Sequence, residues 1–458
     1  MNLIISNKTF IRDATPEQKA LIQKDLTINN PKFVLAQRQD RPTAWYDKFL
    51  TYYEVWGKIL AVPIGYTVNL SKIFSIDSIT DSRSLGKNII NNKFTGKLRP
   101  YQASAISKMK NASVGVICAP TGSGKSVIIV NRVISSKVPT LILVNTLELL
   151  NQMIGKFIEF SDLEKKDIGV IGGGKYKIKD ITISTLQSLT KKSEDEFNKL
   201  NEIFGQIIVD EVHIIPAFTF FNILSKLKAK YKFGFSATPK REDGLTDVIF
   251  WATGPIIEEI KLSDIKDKIV IPTVRKIKTN YFFPLFDSDE YVYMINDLCQ
   301  DAERNKLIIS TIQQYKGKQI VVLSQRVNHA IFLADALNKL GFNAKYLVSS
   351  IKEHEKTKSV PKKIRAEIIE GLNSGDIDVV CSTYSLFSTG IDIASLEILI
   401  LAAPTKSEVR LKQSFGRLFR KATFKKTPEI VDFLDSRIDM LKAQGYARNK
   451  IYKFLEEV

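Results

Sequence analysis

Cysteine is scarce in this chain: Cys118, Cys299 and Cys381 are odd in number, far apart and mostly set in apolar, strand-like contexts. That pattern argues against a disulfide frame or a zinc cluster and for reduced core thiols. Histidine is equally sparse, with only His213, His329 and His354. Long apolar runs are missing too. No stretch approaches the roughly 20 apolar residues that span a bilayer, and Leu3 to Ile5 is too short for a signal peptide, so a cytoplasmic protein without a membrane partner is expected. Acidic side chains fall short of basic ones, 49 against 67, which leaves a net charge of +18 and a pI near 9.5. Such an excess suits a polyanionic partner, because Lys and Arg that bind phosphates release condensed counterions. A generic solubilising surface is the plainer alternative.

The segment Ala119 to Ser126, APTGSGKS, directly follows the apolar run Val114 to Cys118. It reads as a strand feeding a glycine-rich phosphate loop and then a helix. Gly122 and Gly124, flanked by Thr121 and Ser123, let backbone N–H groups turn inward around a phosphate. Lys125 supplies a point charge for the β/γ-phosphates, and the Ser126 hydroxyl can ligate Mg²⁺. Ala119 stands where the simple pattern has glycine, and an ordinary turn is the competing reading of the loop alone.

At 458 residues the chain is expected to hold two to three domains. Apolar runs alternate with helical patterns twice over. The first series is Val114 to Cys118, Thr140 to Val144, Ile181 to Ser184, Ile207 to Asp210 and Lys232 to Ser236. The second is Gln319 to Leu323, Asn343 to Leu347, Asp378 to Ser382 and Ile398 to Ala402. Two doubly wound parallel α/β sheets follow. Ile331, Leu333, Leu337 and Leu340 recur at helical spacing and read as core. Glu259 to Pro284, interrupted by Pro272, reads as the connection between the sheets.

Residues 1–95 break the pattern. They carry 13 Lys/Arg against 8 Asp/Glu and an aromatic cluster, Trp45, Tyr46, Phe49, Tyr52, Tyr53 and Trp56, interleaved with Arg38, Arg41, Lys48 and Lys58. This mixture suits a surface that neutralises phosphates and stacks on bases. The core of a small accessory domain is the other reading, and both hold if the basic residues face outward.

Ile207 to Val209 followed by Asp210, Glu211, Val212 and His213 is an apolar strand ending in two carboxylates. Asp210 is placed to hold Mg²⁺ and Glu211 to polarise an attacking water. Here the chain resembles the superfamily 2 helicases, over nearly everything from Leu98 onward. Leu98 to Gln102, LRPYQ, is similar to the motif in which Gln102, beside Arg99, reads adenine. Asp210 to His213 resembles the DEVH box, and Ser236, Ala237 and Thr238 the SAT motif that couples nucleotide state to strand movement. Gln413, Gly416, Arg417 and Arg420 resemble QxxGRxxR, which implies arginine fingers from the second sheet.

Arg241, Glu242 and Asp243 are similar to the RED triplet of XPB-like DNA helicases, although no thumb insertion is evident. Thr383, Phe387, Ser388, Thr389, Gly390 and Ile391 resemble the UvsW-type recombination helicases of bacteriophages. By that resemblance Gly390 and Asp392 face the nucleotide, and nucleic-acid contacts fall on Thr146, Gly173 in the Gly172 to Gly174 turn, Thr185, Gln187, Arg326 and Thr383. Such contacts grip the sugar–phosphate backbone without reading sequence. The basic stretch Lys352 to Arg365 reads either as a phosphate-tracking loop or as a solvated helix start.

The resemblance implies two tandem RecA-like domains, 96–262 and 263–458, behind an accessory domain at 1–95. It implies a monomeric ATP- and Mg²⁺-dependent helicase. Lys125, Asp210, Glu211, Gln413, Arg417 and Arg420 would drive hydrolysis, and the substrate would be single-stranded or branched DNA alongside replication or recombination proteins. An RNA helicase, the motor subunit of a restriction-type nuclease and an inert clamp are the alternatives.

Overall fold

The computed structural model describes residues 1–213, 217–238, 241, 243–268, 270–284, 290–353, 356–388, 393, 395–405, 407–418 and 428–456. The chain divides into two units, Met1–Lys261 and Leu262–Val458.

The first unit is built on an eight-stranded sheet. Its strands run in the order Lys175–Lys177, Ile168–Gly172, Ile181–Thr185, Thr140–Val144, Gln206–Val209, Tyr231–Ser236, Val114–Cys118 and Ile256–Glu259. All neighbours are parallel except the outer hairpin that pairs Ile168–Gly172 with Lys175–Lys177. The central strands Thr140–Val144 and Gln206–Val209 are buried along their whole length. Helices cover both faces of such a sheet, which is why these strands read as unbroken apolar runs without alternation. Parallel pairing also gathers the loops that follow adjacent strands at one edge, where ligands bind in open α/β sheets.

The N-terminal segment forms a five-stranded sheet in the order Glu54–Trp56, Ile59–Val62, Thr9–Arg12, Asn2–Ile5 and Ser78–Asp81. A helix, Pro16–Asp25, starts on a capping box: the Thr15 hydroxyl accepts from Gln18 N–H and the Gln18 side-chain Oε1 accepts from Thr15 N–H, at 3.3 and 2.9 Å. The core of this sheet is not its own alone. Leu3, Ile11, Ile22, Leu60, Tyr66 and Leu70 pack in one cluster with Val248 and Trp251, which belong to helix Thr246–Thr253 of the larger sheet's layer. Gly65 marks the closest approach. A Cβ there would lie 2.1 Å from the Phe250 carbonyl oxygen, so only glycine fits.

The aromatic cluster splits between the two readings given above. Tyr52 is buried against Phe221 and Trp251, whereas Trp45 is 85% exposed and Tyr46, Phe49 and Trp56 are also exposed. Arg41, Lys48 and Lys58 are exposed beside them.

The second unit holds a six-stranded, wholly parallel sheet in the order Thr273–Lys278, Glu429–Leu434, Ile398–Leu401, Ile320–Ser324, Val379–Thr383 and Ala344–Leu347. Its edge strand Thr273–Lys278 lies inside the stretch expected to be a plain connection. The partner that makes it a strand, Glu429–Leu434, is some 150 residues away, so no local pattern announces it. On helix Val327–Lys339, Leu333 and Leu337 are core as expected, but Leu340 is 43% exposed because it caps the helix end. The basic stretch around Lys352 forms an antiparallel hairpin, Ser350–Glu353 with Lys356–Ser359, followed by helix Lys362–Ser374. Beneath the sheet, Arg304 is fully buried and bonds Asp435 through Nε and Nη2, at 2.7 and 3.0 Å. Removing one partner of such a pair costs about 3–5 kcal/mol.

Candidate active site

Three loops of the first unit meet at one sheet edge, since Val114–Cys118, Tyr231–Ser236 and Gln206–Val209 are adjacent parallel strands. They carry the phosphate loop, the SAT segment and the DEVH box. Gly122 and Gly124 adopt left-handed backbone, at φ 89° and 78°, and Gly124 is the N-cap of helix Lys125–Ser136. The first N–H groups of that helix have no intrahelical partner, so they face the loop as anion donors.

The loop is braced from behind. Gln102 is buried, its Nε2 donates to the Ser123 carbonyl at 2.9 Å, and its Oε1 accepts from Arg99 N–H at 2.9 Å. Tyr101, in the LRPYQ motif but not among the residues expected to bind the nucleotide, donates its hydroxyl to the same Ser123 carbonyl at 3.1 Å and accepts from Arg99 Nη1 at 2.8 Å. The contacts of Gln102 use one donor and one acceptor site of its amide, which leaves its second N–H and second lone pair for an adenine. The Ser123 hydroxyl is buried with no partner among the described residues, which leaves a polar atom inside the loop for a phosphate.

Lys125 forms an ion pair with Glu211. Burial works against the lysine charge, but the Glu211 and Asp210 carboxylates outweigh it and raise its pKa. Burial, together with the Glu211 charge, pushes the Asp210 carboxyl up, and Lys125 only partly opposes it. A buried carboxylate of this kind gains from a cation, and a Mg²⁺ ion held by Asp210 and the Ser126 hydroxyl fits that need. Glu211 sits in left-handed backbone at φ 52°, a conformation that costs a non-glycine residue about 1–2 kcal/mol. The turn is held by its neighbours. Glu211 N–H donates to Asp210 Oδ1 at 3.0 Å, and His213 Nδ1 lies 2.7 Å from Ser236 Oγ and 3.4 Å from Glu211 Oε2.

The SAT segment is therefore wired to the DEVH box through one hydroxyl. Ser236 Oγ also donates to the Thr238 carbonyl and accepts from Thr238 N–H, while Ala237 offers its carbonyl to the Cys118 thiol. Arg241 donates from Nε and Nη2 to the two carboxylate oxygens of Asp243, at 2.9 and 2.5 Å, and from Nη1 to the His213 carbonyl at 3.3 Å. Glu242 lies outside the described residues.

At the same edge, three of the expected backbone-gripping positions converge. Thr146, Gly172–Gly174 and Thr185 follow the neighbouring strands Thr140–Val144, Ile168–Gly172 and Ile181–Thr185. A Cβ on Gly172 would sit 3.3 Å from both Leu147 and Thr185, so the loops touch. Thr146 caps its helix by accepting from Leu149 N–H, Thr185 Oγ1 lies 2.7 Å from Ser188 Oγ, and Gln187 is exposed.

In the second unit, Arg326 follows strand Ile320–Ser324 and Thr383 ends the paired strand Val379–Thr383, where it lies opposite Ser324. Arg326 donates from Nε to Asn296 Oδ1 at 2.6 Å, a brace with no sequence signal because the two residues lie on separate elements. Thr383 Oγ1 lies 3.2 Å from Ser385 Oγ. Gln413 and Arg417 lie on helix Glu408–Leu418. Gly390, Asp392 and Arg420 lie outside the described residues.

The family "Helicase conserved C-terminal domain" matches residues 303–422, and "Type III restriction enzyme, res subunit" matches residues 95–241. Together they cover more than half of the chain. The chain belongs to the superfamily 2 helicases. As a helicase it is an ATP-dependent nucleic-acid-unwinding enzyme.

Among its relatives, the "Putative ATP-dependent RNA helicase L396" of Acanthamoeba polyphaga mimivirus is 29% identical, covering 98% of this chain and 83% of that protein. The "DNA 3'-5' translocase XPB2" of Sulfurisphaera tokodaii is 25% identical, covering 71% and 79%. Among solved structures, S. cerevisiae Dbp5 bound to RNA and ADP BeF3 matches with a TM-score of 0.55 at 14% identity, over 79% of this chain and 93% of that one. It shares the two tandem RecA-like domains. T4 UvsW matches 99% of this chain and 98% of its own at 18% identity and a TM-score of 0.45. Among the described residues no helix is long and apolar enough to cross a membrane.

Proposed function

We propose that the helicase moves along one strand of DNA and unwinds or remodels branched DNA, such as forks, Holliday junctions and displacement loops, in replication, recombination and repair. The observation that best supports this is the exposed aromatic and basic surface of the N-terminal segment, where Trp45, Phe49 and Lys48 face solvent on the unit that also holds the phosphate loop. A branched substrate offers a single strand to the motor and a duplex arm to that surface, so two sites engage at once. The XPB-type relatives and the Arg241–Asp243 pair favour DNA.

In this reading residues 1–95 are the accessory DNA-binding domain, and 96–262 and 263–458 are the motor domains of a monomer that works with replication and recombination proteins. When bound, Mg²⁺ on Asp210 and Ser126 neutralises charge on the transferred phosphate. Lys125 holds the β/γ-phosphates, Glu211 orients the attacking water, Arg99 and Gln102 receive the base, and Gly390 and Asp392 face the nucleotide. Gln413, Arg417 and Arg420 stabilise charge as it develops. Ser236, Ala237, Thr238 and the 241–243 triplet carry the nucleotide state to Thr146, Gly173, Thr185, Gln187, Arg326 and Thr383 on the strand.

An RNA helicase is the second reading, because the mimivirus relative that matches nearly the whole chain carries that name. One comparison separates the two: a fork, a Holliday junction, a linear DNA duplex and an RNA duplex of matched length, with ATP, at several salt concentrations and in two sequences. The fork and junction should be unwound and bound most tightly. Affinity should fall steeply with salt, by about 0.7–0.9 in log–log slope per phosphate neutralised, and depend little on sequence. Equal affinity for fork and linear duplex would sink the branched-DNA reading, and unwinding of the RNA duplex alone would replace DNA with RNA.

A further inference from the structure

The ring of Tyr52 joins the N-terminal sheet to both segments that frame the hydrolytic turn. It meets Phe221 edge-on, with centroids 4.9 Å apart and planes at 84°, and it lies 5.2 Å from the Trp251 ring. Phe221 is on helix Ala217–Leu224, which comes after the DEVH box in sequence, and Trp251 is on helix Thr246–Thr253, which comes after Arg241 and Asp243.

That second helix is tied to the pair at its start. Arg241 N–H donates to Thr246 Oγ1 at 3.0 Å, and Leu245 N–H donates to Asp243 Oδ1 at 3.1 Å. Arg241 in turn reaches the His213 carbonyl, two residues from Glu211. Burial raises the Tyr52 hydroxyl pKa, and the charges of Arg241 and Asp243 both act on it, so the hydroxyl lies within electrostatic reach of the pair.

We propose that Tyr52 is a positioning residue for ATP hydrolysis: wedged between Phe221 and Trp251, its ring holds Arg241 on the His213 carbonyl and so fixes the turn that presents Glu211. The N-terminal sheet is then part of the ATPase as well as a substrate-binding surface. Shape, not the hydroxyl, carries this role, since the ring makes both contacts. The proposal rests on the reading of Glu211 as the group that orients water, and a parallel Glu211→Gln variant tests that reading by itself.

The experiment measures ATP turnover against ATP concentration at saturating single-stranded DNA, below the melting temperature of every variant. Tyr52→Phe should match the parent protein. Tyr52→Leu should lower kcat by about 3- to 30-fold, the span of couplings carried through packed networks, with KM for ATP and half-saturation by DNA within about two-fold. A residue needed only for folding would lower the amount of active protein and be corrected by active-site titration, whereas a slower turn would not.

The Arg241→Gln variant supplies the second readout. Adding Tyr52→Leu to it should cost nothing further, because the contact that Tyr52 holds in place is already gone. Parental kcat in Tyr52→Leu, or the same fractional loss on both backgrounds, would overturn the proposal. If Tyr52→Leu is not folded at any usable assay temperature, Phe221→Leu, which empties the other side of the same contact, faces the same two criteria. Full turnover by Glu211→Gln would instead overturn the underlying site reading.

Discussion

Lys125 of the phosphate loop is ion-paired with Glu211 of the DEVH box, so the two groups proposed for phosphate binding and water orientation neutralise each other. Their side chains are only 14% and 18% exposed, which keeps solvent from screening the pair. In the proposed mechanism, a triphosphate drawn to Lys125 would compete with the carboxylate and free Glu211 to meet a water.

This exchange predicts opposite effects on binding and turnover. Lys125→Ala should lower ATP turnover by at least about 10²-fold, the usual loss when one preorganised charge-stabilising group is removed, while DNA binding persists. Glu211→Gln should also lose turnover, yet bind Mg-ATP more tightly than the parent, because Lys125 no longer has to leave a carboxylate. Nucleotide titration by fluorescence and a steady-state ATPase assay check both. Weaker nucleotide binding in Glu211→Gln would show that the pair is not in competition with phosphate.

Gly124→Ala isolates the geometry of the loop from its charge. The residue sits at φ 78°, and an added Cβ would lie 2.6 Å from Gln102 Nε2, so the loop must shift or the Gln102 brace must swing away from the Ser123 carbonyl. A left-handed alanine alone costs about 1–2 kcal/mol. ATP affinity should fall by about ten-fold or more, and the melting temperature by a few degrees, since strain of that size shifts it by about 2–4 °C per kcal/mol. Unchanged affinity would mean that the loop adopts another conformation when nucleotide binds.

His329 gives the second unit a pH-dependent stability. It is buried between Ser324 Oγ and Asn305 Oδ1, at 2.8 and 2.9 Å, and burial beside the Arg304 charge lowers its pKa to about 3. In the unfolded chain the same histidine protonates near 6.5. Below that pH the unfolded state binds the extra proton, so the stabilisation is complete above about 6.5 and is lost progressively as pH falls toward 3, by at most about 1.4 kcal/mol per unit. Urea unfolding at pH 7 and pH 5 should show a steeper loss for the parent protein than for His329→Gln. Equal slopes would rule out this histidine as the source.

How far the sequence revealed this molecule depends on whether the interaction is local. Val114–Cys118 and Thr140–Val144 were legible to the residue, because a strand buried on both faces must be a continuous apolar run. The phosphate loop and the DEVH box were legible because their chemistry is set by neighbours in sequence. The contacts of Tyr101 and Asn296 were not, since their partners Ser123 and Arg326 are defined only by tertiary structure. Strand Thr273–Lys278 was hidden for the same reason: the adjacent exposed charges Arg275 and Lys276 break any alternation and read as linker until Glu429–Leu434 pairs with them. The aromatic run from Trp45 to Trp56 carried two signals at once, and burial alone separates Tyr52 from its exposed neighbours.

That separation makes the N-terminal sheet testable in two independent ways. Deleting residues 1–95 exposes Val248 and Trp251, whose burial is worth about 1.5–3 kcal/mol each, so the remaining fragment should melt well below the parent or precipitate. Loss of unwinding by the fragment alone would therefore say nothing about substrate binding. Trp45→Ala and Lys48→Glu touch only exposed side chains and should leave the melting curve unchanged within a degree or two. If Trp45 stacks on a base, its removal should weaken fork binding by about five-fold or more, since one base–aromatic stack is worth about 1–3 kcal/mol. Lys48→Glu should weaken binding chiefly at low salt, where the phosphate contact counts most. A 96–458 fragment that melts with the parent would show that the shared core adds no stability. Parental fork affinity in both surface variants would show that the exposed aromatic face is not where the fork binds.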